Sequence, residues 1–240
     1  MTEQEIQEIE QYLNDTIIEK PHAFSVGESH YFLYPVTLGK MYVLQGLIKA
    51  LEINMEYLQV NIHAEALRLA KSKKSECLNI ICIHTCKTKE EVCDPFFVDK
   101  RVKEFEETMS EEDIAVLMIV VLTSDKTSMF IKHLGIDKEQ EDMKKVMDVK
   151  TKNDKNNYTF GGKSIYGSFI APLLEMGFSW DEIMWQRSYT NLRLILADKI
   201  NSIYVTDDER KKINITRDRE RVNGDNREEI LKAIASQSWD

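Results

Sequence analysis

From Gly162 to Ser202 the chain reads GKSIYGSFIAPLLEMGFSWDEIMWQRSYTNLRLILADKINS, a stretch that fixes two helices and the break between them at Gly177. Ser179 supplies an N-cap for the second helix. Glu182, three positions on, can return a bond to the Ser179 amide and so complete a capping box. Phe178 before the cap and Ile183 after it can close over the turn as a hydrophobic staple. No Pro or Gly occurs from Trp180 to Val205, so one strong helix rich in Trp, Tyr and Leu is expected there. The stretch carries no evident catalytic group and reads as a recognition or packing element.

Turn markers are scarce elsewhere, with 9 Gly and 4 Pro in 240 residues. A sandwich or barrel needs a turn about every 8–12 residues, so the expected class is mainly α, a multi-helix bundle. The length allows one large domain or two small ones, with enough chain to bury a core. A net charge of −9 argues against sequence-independent binding of nucleic acid, which needs a basic surface. Local basic patches reduce to Lys71–Lys74 and an acid-diluted Arg217–Arg221. The longest purely apolar run, Ile114 to Leu122, falls far short of the roughly 20 residues of a membrane span. The opening MTEQEIQEIEQYL is acidic and amphipathic, where a secretory leader is basic and then apolar. The expectation is a cytosolic protein with neither a nucleic-acid nor a membrane partner.

Ile6, Ile9, Leu13 and Ile17 form one stripe of a first helix that Pro21 ends. Phe24 to Val36 is aromatic and bounded by Gly27 and Pro35, which leaves room for at most one short strand or extended segment near residues 30–36. Thr37 caps a helix with Leu38, Met41, Leu44, Leu47, Ile48 and Leu51 on one broad face. Asn54 or Asn61 caps the next. Cys77 to Val92 reads as helix, Pro95 interrupts, and Phe96 to Met109 resumes. Ser110 with Asp113 forms another capping box, opening a helix whose IAVLMIVVL stretch is apolar all round and so belongs at a bundle's buried centre. Ser124 caps a short helix ending at Gly135. Residues 137–158 turn polar, and their second half, TKNDKNN, reads as a loop or linker. The expected organisation is a helical domain over 1–150, a helical hairpin over 151–205 packed on it, and a charged extension over 206–240.

Three chemistries are weighed and set aside. Gly162-Lys163-Ser164 suggests a phosphate-binding loop, but the glycine required five positions earlier is Asn157 and no apolar strand leads in. Cys77, Cys82, Cys86 and Cys93, with His63 and His84, lack the paired C-x-x-C or H-x-x-x-H units that preset zinc ligands, and cysteine packs well as a small hydrophobe. In a reducing cytosol they are expected as thiols. Asp181 with Glu182, and Asp207 with Asp208, sit where helix starts attract acids. No nucleophile elbow or H-E-x-x-H appears, so neither cofactor nor metal nor catalytic residue is assigned.

Trp180, Trp185 and Tyr189, with Tyr166 and Phe169 on the preceding helix, remain as the strongest functional candidates. They are core if the two helices press together, or a face for a partner helix, for which aromatics and the ten Met residues are suited anchors. Two stretches carry a resemblance. HYFLYPVTLGKMYVLQGLIKALEIN, from His30 to Asn54, resembles the opening of small proteins encoded in tailed-phage morphogenesis regions. SIYGSFIAPLLEMGFSWDEIMWQRSYTNLRLILAD, from Ser164 to Asp198, resembles the later helical segment of tail assembly chaperones of such phages. Together they cover about a quarter of the chain.

The resemblance implies a non-enzymatic helical protein in the cytoplasm of the bacterial host. It would coat the phage tape-measure protein and keep it soluble until tail-tube subunits displace it, with self-association left open. The partner face would comprise Leu38, Met41 and Leu44 with Tyr166, Phe169, Trp180, Trp185, Tyr189 and Leu192. The alternative from another class is a structural or adaptor protein of the virion, and a third reading is a zinc-dependent enzyme or regulator using the Cys77–Cys93 cluster, which metal content decides.

Overall fold

Helix dominates the computed structural model, which describes residues 2–153, 162–199 and 203–213. Helix α1 (Glu3–Ile17) opens on a capping box of Thr2 and Glu5, and Glu19 turns left-handed at φ 53° beyond its end. Two strands follow where the sequence left room for one. β1 (His22–Val26) and β2 (Ser29–Leu33) pair antiparallel, His22 opposite Leu33 and Val26 opposite Ser29. Gly27, at φ 58°, makes the two-residue turn possible, since the first central position there favours glycine.

Helix α2 (Leu38–Ala50) is capped by Thr37, whose hydroxyl accepts from the Lys40 amide. Both asparagines act, Asn54 at the head of α3 (Met55–Val60) and Asn61 at the head of α4 (Ile62–Ser72). The helix expected over Cys77 to Val92 is two: α5 (Lys74–Thr85) stops as Cys86 goes extended, and Thr88 caps α6 (Lys89–Cys93). Pro95 opens α7 (Pro95–Thr108) behind the Asp94 cap, because a first-turn residue has no helical N–H to lose. Ser110 and Asp113 box the start of α8 (Glu111–Leu122). Ser124 does not cap α9 (Thr127–His133). Its hydroxyl donates to the Val121 carbonyl at the end of α8, and Asp125 accepts from the Thr127 amide instead.

Two compact units result: Met1–Lys138 with Tyr158–Asn201, and Glu139–Asn157 with Ser202–Asp240. In the first unit the buried centre is α5, not α8. Every residue from Ile80 to Cys86 is buried, because α2, α4, α7, α8 and β2 all pack on that helix. On α8, Ile114, Ala115, Leu117 and Met118 are buried, while Val116 lies exposed and Ile119, Val120 and Val121 are half-buried.

Within the same unit the hairpin has its own smaller core. A π-helical turn over Tyr166–Ile170 leads into α11 (Ala171–Glu175), the Ala171 amide reaching back to the Tyr166 carbonyl. Pro172 explains its place: lacking an N–H, it cannot continue the regular ladder, and the wider turn absorbs the mismatch. The long helix expected beyond Trp180 is interrupted. A second π-helical turn spans Glu182–Gln186, Ser188 is extended and bridged to Thr37, and Ser188 then caps α12 (Tyr189–Ala197).

Across the boundary between units runs α10 (Ile136–Asn153), which is helical over 151–153 where a loop was expected. In the second unit, Thr206 and Glu209 bond reciprocally at the start of α13 (Asp207–Ile213), and Lys150 pairs with Glu209 at 3.7 Å. The rest of the charged extension, from residue 214, lies outside the described residues. Among those described, no single helix is long and apolar enough to cross a membrane.

Candidate functional site

The hairpin turn is built as its residues dictate. Gly177 takes φ 95°, and the Phe178 amide bonds the Leu173 carbonyl at 3.1 Å. The Ser179 amide and hydroxyl both donate to Glu182 Oε2, at 2.9 and 2.7 Å, while the Glu182 amide donates to Ser179 Oγ at 3.2 Å. Ile183 is buried in the core beneath, and Phe178 packs against that core half-buried.

The nine residues of the expected partner face take different places. Leu38, Phe169 and Leu192 are buried together in the hairpin core, with Tyr189 packed at its edge 5.3 Å from the Phe169 ring. Leu44 is buried in the larger core, and Met41 is half-buried. Tyr166 and Trp180 face outward, 63% and 48% exposed, with their rings stacked 6.3 Å apart at 16°. Trp185 turns away from this pair and packs against the larger core. A Cβ on Gly39 would lie 2.6 Å from the Trp185 ring, so this glycine is what lets the indole lie on the first turn of α2.

That indole is one wall of a cavity of about 500 Å³ within the first unit. Tyr34, Pro35 and Thr37 before α2, Lys87 and Lys89 around α6, and Pro21 beyond α1 complete most of its lining. Long-range bonds hold the walls together. The Ser188 amide donates to Glu19 Oε1 at 2.8 Å, Asn191 Nδ2 donates to the same oxygen at 3.1 Å, and the Tyr189 amide donates to the Val36 carbonyl at 2.8 Å.

Lys40 also lines this cavity, and sequence reasoning missed it. It is 3% exposed and has neither hydrogen bond nor ion pair at its ammonium among the described residues; the nearest cation–π contact is the Tyr34 ring, 5.6 Å away. Burial lowers its pKa to about 8, opposed by the negative charges of the Cys86 thiolate and Glu91. Beside it His84 is lowered to about 4, by burial first and then by the Lys40 charge, with a bond to the Tyr34 backbone opposing the shift. One signal was available: Lys40 stands three positions after Thr37 and four before Leu44, on the face those residues bury.

The other candidates resolve locally. Cys77, Cys82 and Cys86 are buried and Cys93 is exposed, all as free thiols, and burial pushes Cys77 up to about 12. Among the described residues no group of three or more His, Cys, Asp or Glu side chains is placed to hold a metal ion. Asn157 and Gly161, on which the phosphate-loop question turned, lie outside the described residues. The Asp181 carboxylate accepts from Gln186 Nε2 at 2.7 Å, and Glu182 is the capping partner already described. Compared with known proteins, the chain matches no protein family, no curated protein and no solved structure.

Proposed function

We propose that this chain is a non-enzymatic binding protein, a tail assembly chaperone of a tailed bacteriophage that keeps the tape-measure protein soluble. The observation that carries the reading is the exposed stack of Tyr166 on Trp180. Two large aromatic rings held against one another in water, on a turn rigidified by the Ser179–Glu182 box, are a preformed anchor for an apolar helix. Leu174 and Met176 of the same hairpin are also exposed. Helix α1 adds a further open surface: none of its residues is buried, and Tyr12, Ile17 and the adjoining Ile18 are exposed. The net charge of −9 opposes self-aggregation of a molecule with so much apolar surface showing.

In this reading the partner face consists of its exposed members. Tyr166 and Trp180 are exposed and available to a client, whereas Leu38, Phe169 and Leu192 are buried in the hairpin core. Co-expression with the tape-measure protein of the same genome tests the proposal. The client's soluble yield is expected to rise, and Trp180→Ala is expected to weaken the complex about tenfold or more while leaving the helical circular dichroism unchanged. A client whose solubility does not depend on this protein sinks the reading. Mass spectrometry of purified particles separates it from a structural virion component, which would be retained there.

A further inference from the structure

We propose that the cavity at the start of α2 binds a small organic carboxylate with a flat apolar body, the carboxylate meeting Lys40 and the body lying between Trp185 and Tyr34. This inference is independent of the chaperone reading.

The fold shows elsewhere how it accommodates a buried charge. Glu65, 1% exposed, accepts two bonds from Arg68 at 2.7 Å each and one from the Asn54 amide at 2.7 Å. Lys40 is buried almost as fully and has no hydrogen-bonded acceptor among the described residues, Cys86 and Glu91 acting on it only through their charge. Buried charges are ordinarily paired, so an ammonium left open to a cavity calls for an anion from outside. The amino end of α2, a helix of 13 residues, borders the same space through Thr37 and adds the positive end of its dipole.

The remaining lining decides the kind of anion. Lys87 and Lys89 are offset by Glu90 and Asp181, while the Glu19 carboxylate is already held by the Ser188 amide and Asn191 Nδ2. With three acids in the lining a dianionic phosphate is repelled more strongly than a singly charged carboxylate, so the smaller charge is the better fit beside Lys40. Tyr34, Trp185, Pro21 and Pro35 supply apolar walls of the kind that small-molecule sites use, and the volume suits a ligand of modest size.

Trp185 reports occupancy when the other two tryptophans, Trp180 and Trp239, are replaced by Phe. Benzoate is expected to change its emission saturably, with the neutral isostere benzamide and with inorganic phosphate each binding at least tenfold more weakly. Lys40→Met should lower benzoate affinity at least tenfold with circular dichroism unchanged, and Lys132→Met, at an exposed position, should not. Equal binding of benzoate and benzamide, no saturable benzoate response, or full affinity in folded Lys40→Met overturns the proposal. The benzamide comparison needs no substitution at Lys40 and stands even if that variant misfolds. A short peptide ending in Phe with a free carboxyl, binding more tightly than benzoate and than its own amide, assigns the carboxylate to a protein terminus; no gain over benzoate assigns it to a free acid.

Discussion

Glu65 and Lys40 are both buried charges in the first unit, and they are treated in opposite ways. Glu65 lies where α3 meets α4, and its neighbours were recruited to it: Arg68 one turn along the same helix, and the Asn54 amide at the head of α3. Those bonds, the Arg68 side chain foremost, hold its carboxyl below the ordinary range despite burial. Lys40 lies at the opening of α2 among Tyr34, Cys86 and His84, and its ammonium falls to about 8 because burial dominates. A satisfied buried charge belongs to the architecture. One that meets only the open space of a cavity costs stability, and proteins concentrate such costs where something is bound.

Breaking the satisfied pair has the largest expected effect. Arg68→Met leaves a buried carboxylate with one backbone donor, and removing one partner of a buried pair costs about 3–5 kcal/mol. The half-exposed Arg68 places the loss at the lower end, and urea unfolding at pH 7 measures it. With its main partner gone, the Glu65 pKa should rise, so the variant should recover stability as pH falls.

Lys40→Met should move stability the other way. Below pH 8 Lys40 is charged in both folded and unfolded chains, and the full cost of burying that charge is present. Between about pH 8 and 10.5 the unfolded chain holds a proton that the folded chain has released, so wild-type stability rises with pH. The shift corresponds to about 3 kcal/mol. Lys40→Met should therefore gain up to that amount at pH 7, and its advantage should vanish by about pH 10.5. A variant no more stable than wild type at pH 7 would show that the ammonium is hydrated through the cavity.

His84 sharpens the same contrast on the acid side. Its folded pKa of about 4 lies below its unfolded value, so nothing is lost above pH 6.5 and stability falls as pH drops from 6.5 to 4. The loss approaches about 3 kcal/mol by pH 4, read as the difference between wild type and His84→Gln. Because Lys40 contributes to the depression, Lys40→Met should shrink this acid limb as well. That would mark the two residues as one coupled site.

How much of this could be read beforehand follows the range of the interactions. Thr37, Asn54, Asn61, Ser110 and Ser179 each cap a helix through bonds to residues two or three away, and local sequence suffices for them. Ser188 uses the same chemistry on Asn191. It was hidden because the extended backbone before it is set by Thr37 and by Glu19, the latter 169 positions distant. The aromatic residues of the hairpin were visible, but their sorting into an outer stack, an inner pair and a cavity wall depends on Gly39 and on the break at Ser188. Lys40 was passed over because a charge in an amphipathic helix ordinarily marks the solvent face.

The smallest expected effect is the most local test of the cavity itself. Gly39→Ala places a methyl where the Trp185 ring now lies, 2.6 Å from its nearest carbon. Overpacking of this kind costs about 1–3 kcal/mol, and replacing a helical glycine returns up to about 1 kcal/mol, so a net loss of about 1 kcal/mol is expected. The indole must shift, and with it the wall that confines Lys40. Thermal unfolding should fall modestly, Trp185 emission should move towards that of a hydrated indole, and the alkaline rise in stability from Lys40 should flatten as its ammonium gains water. No comparable change should reach Glu65, whose partners are carried by α3 and α4 and not by this wall. If the alkaline limb persists unchanged while Trp185 moves, the burial of Lys40 owes nothing to the indole, and the site must be confined by Tyr34 and the α5–α6 connection instead.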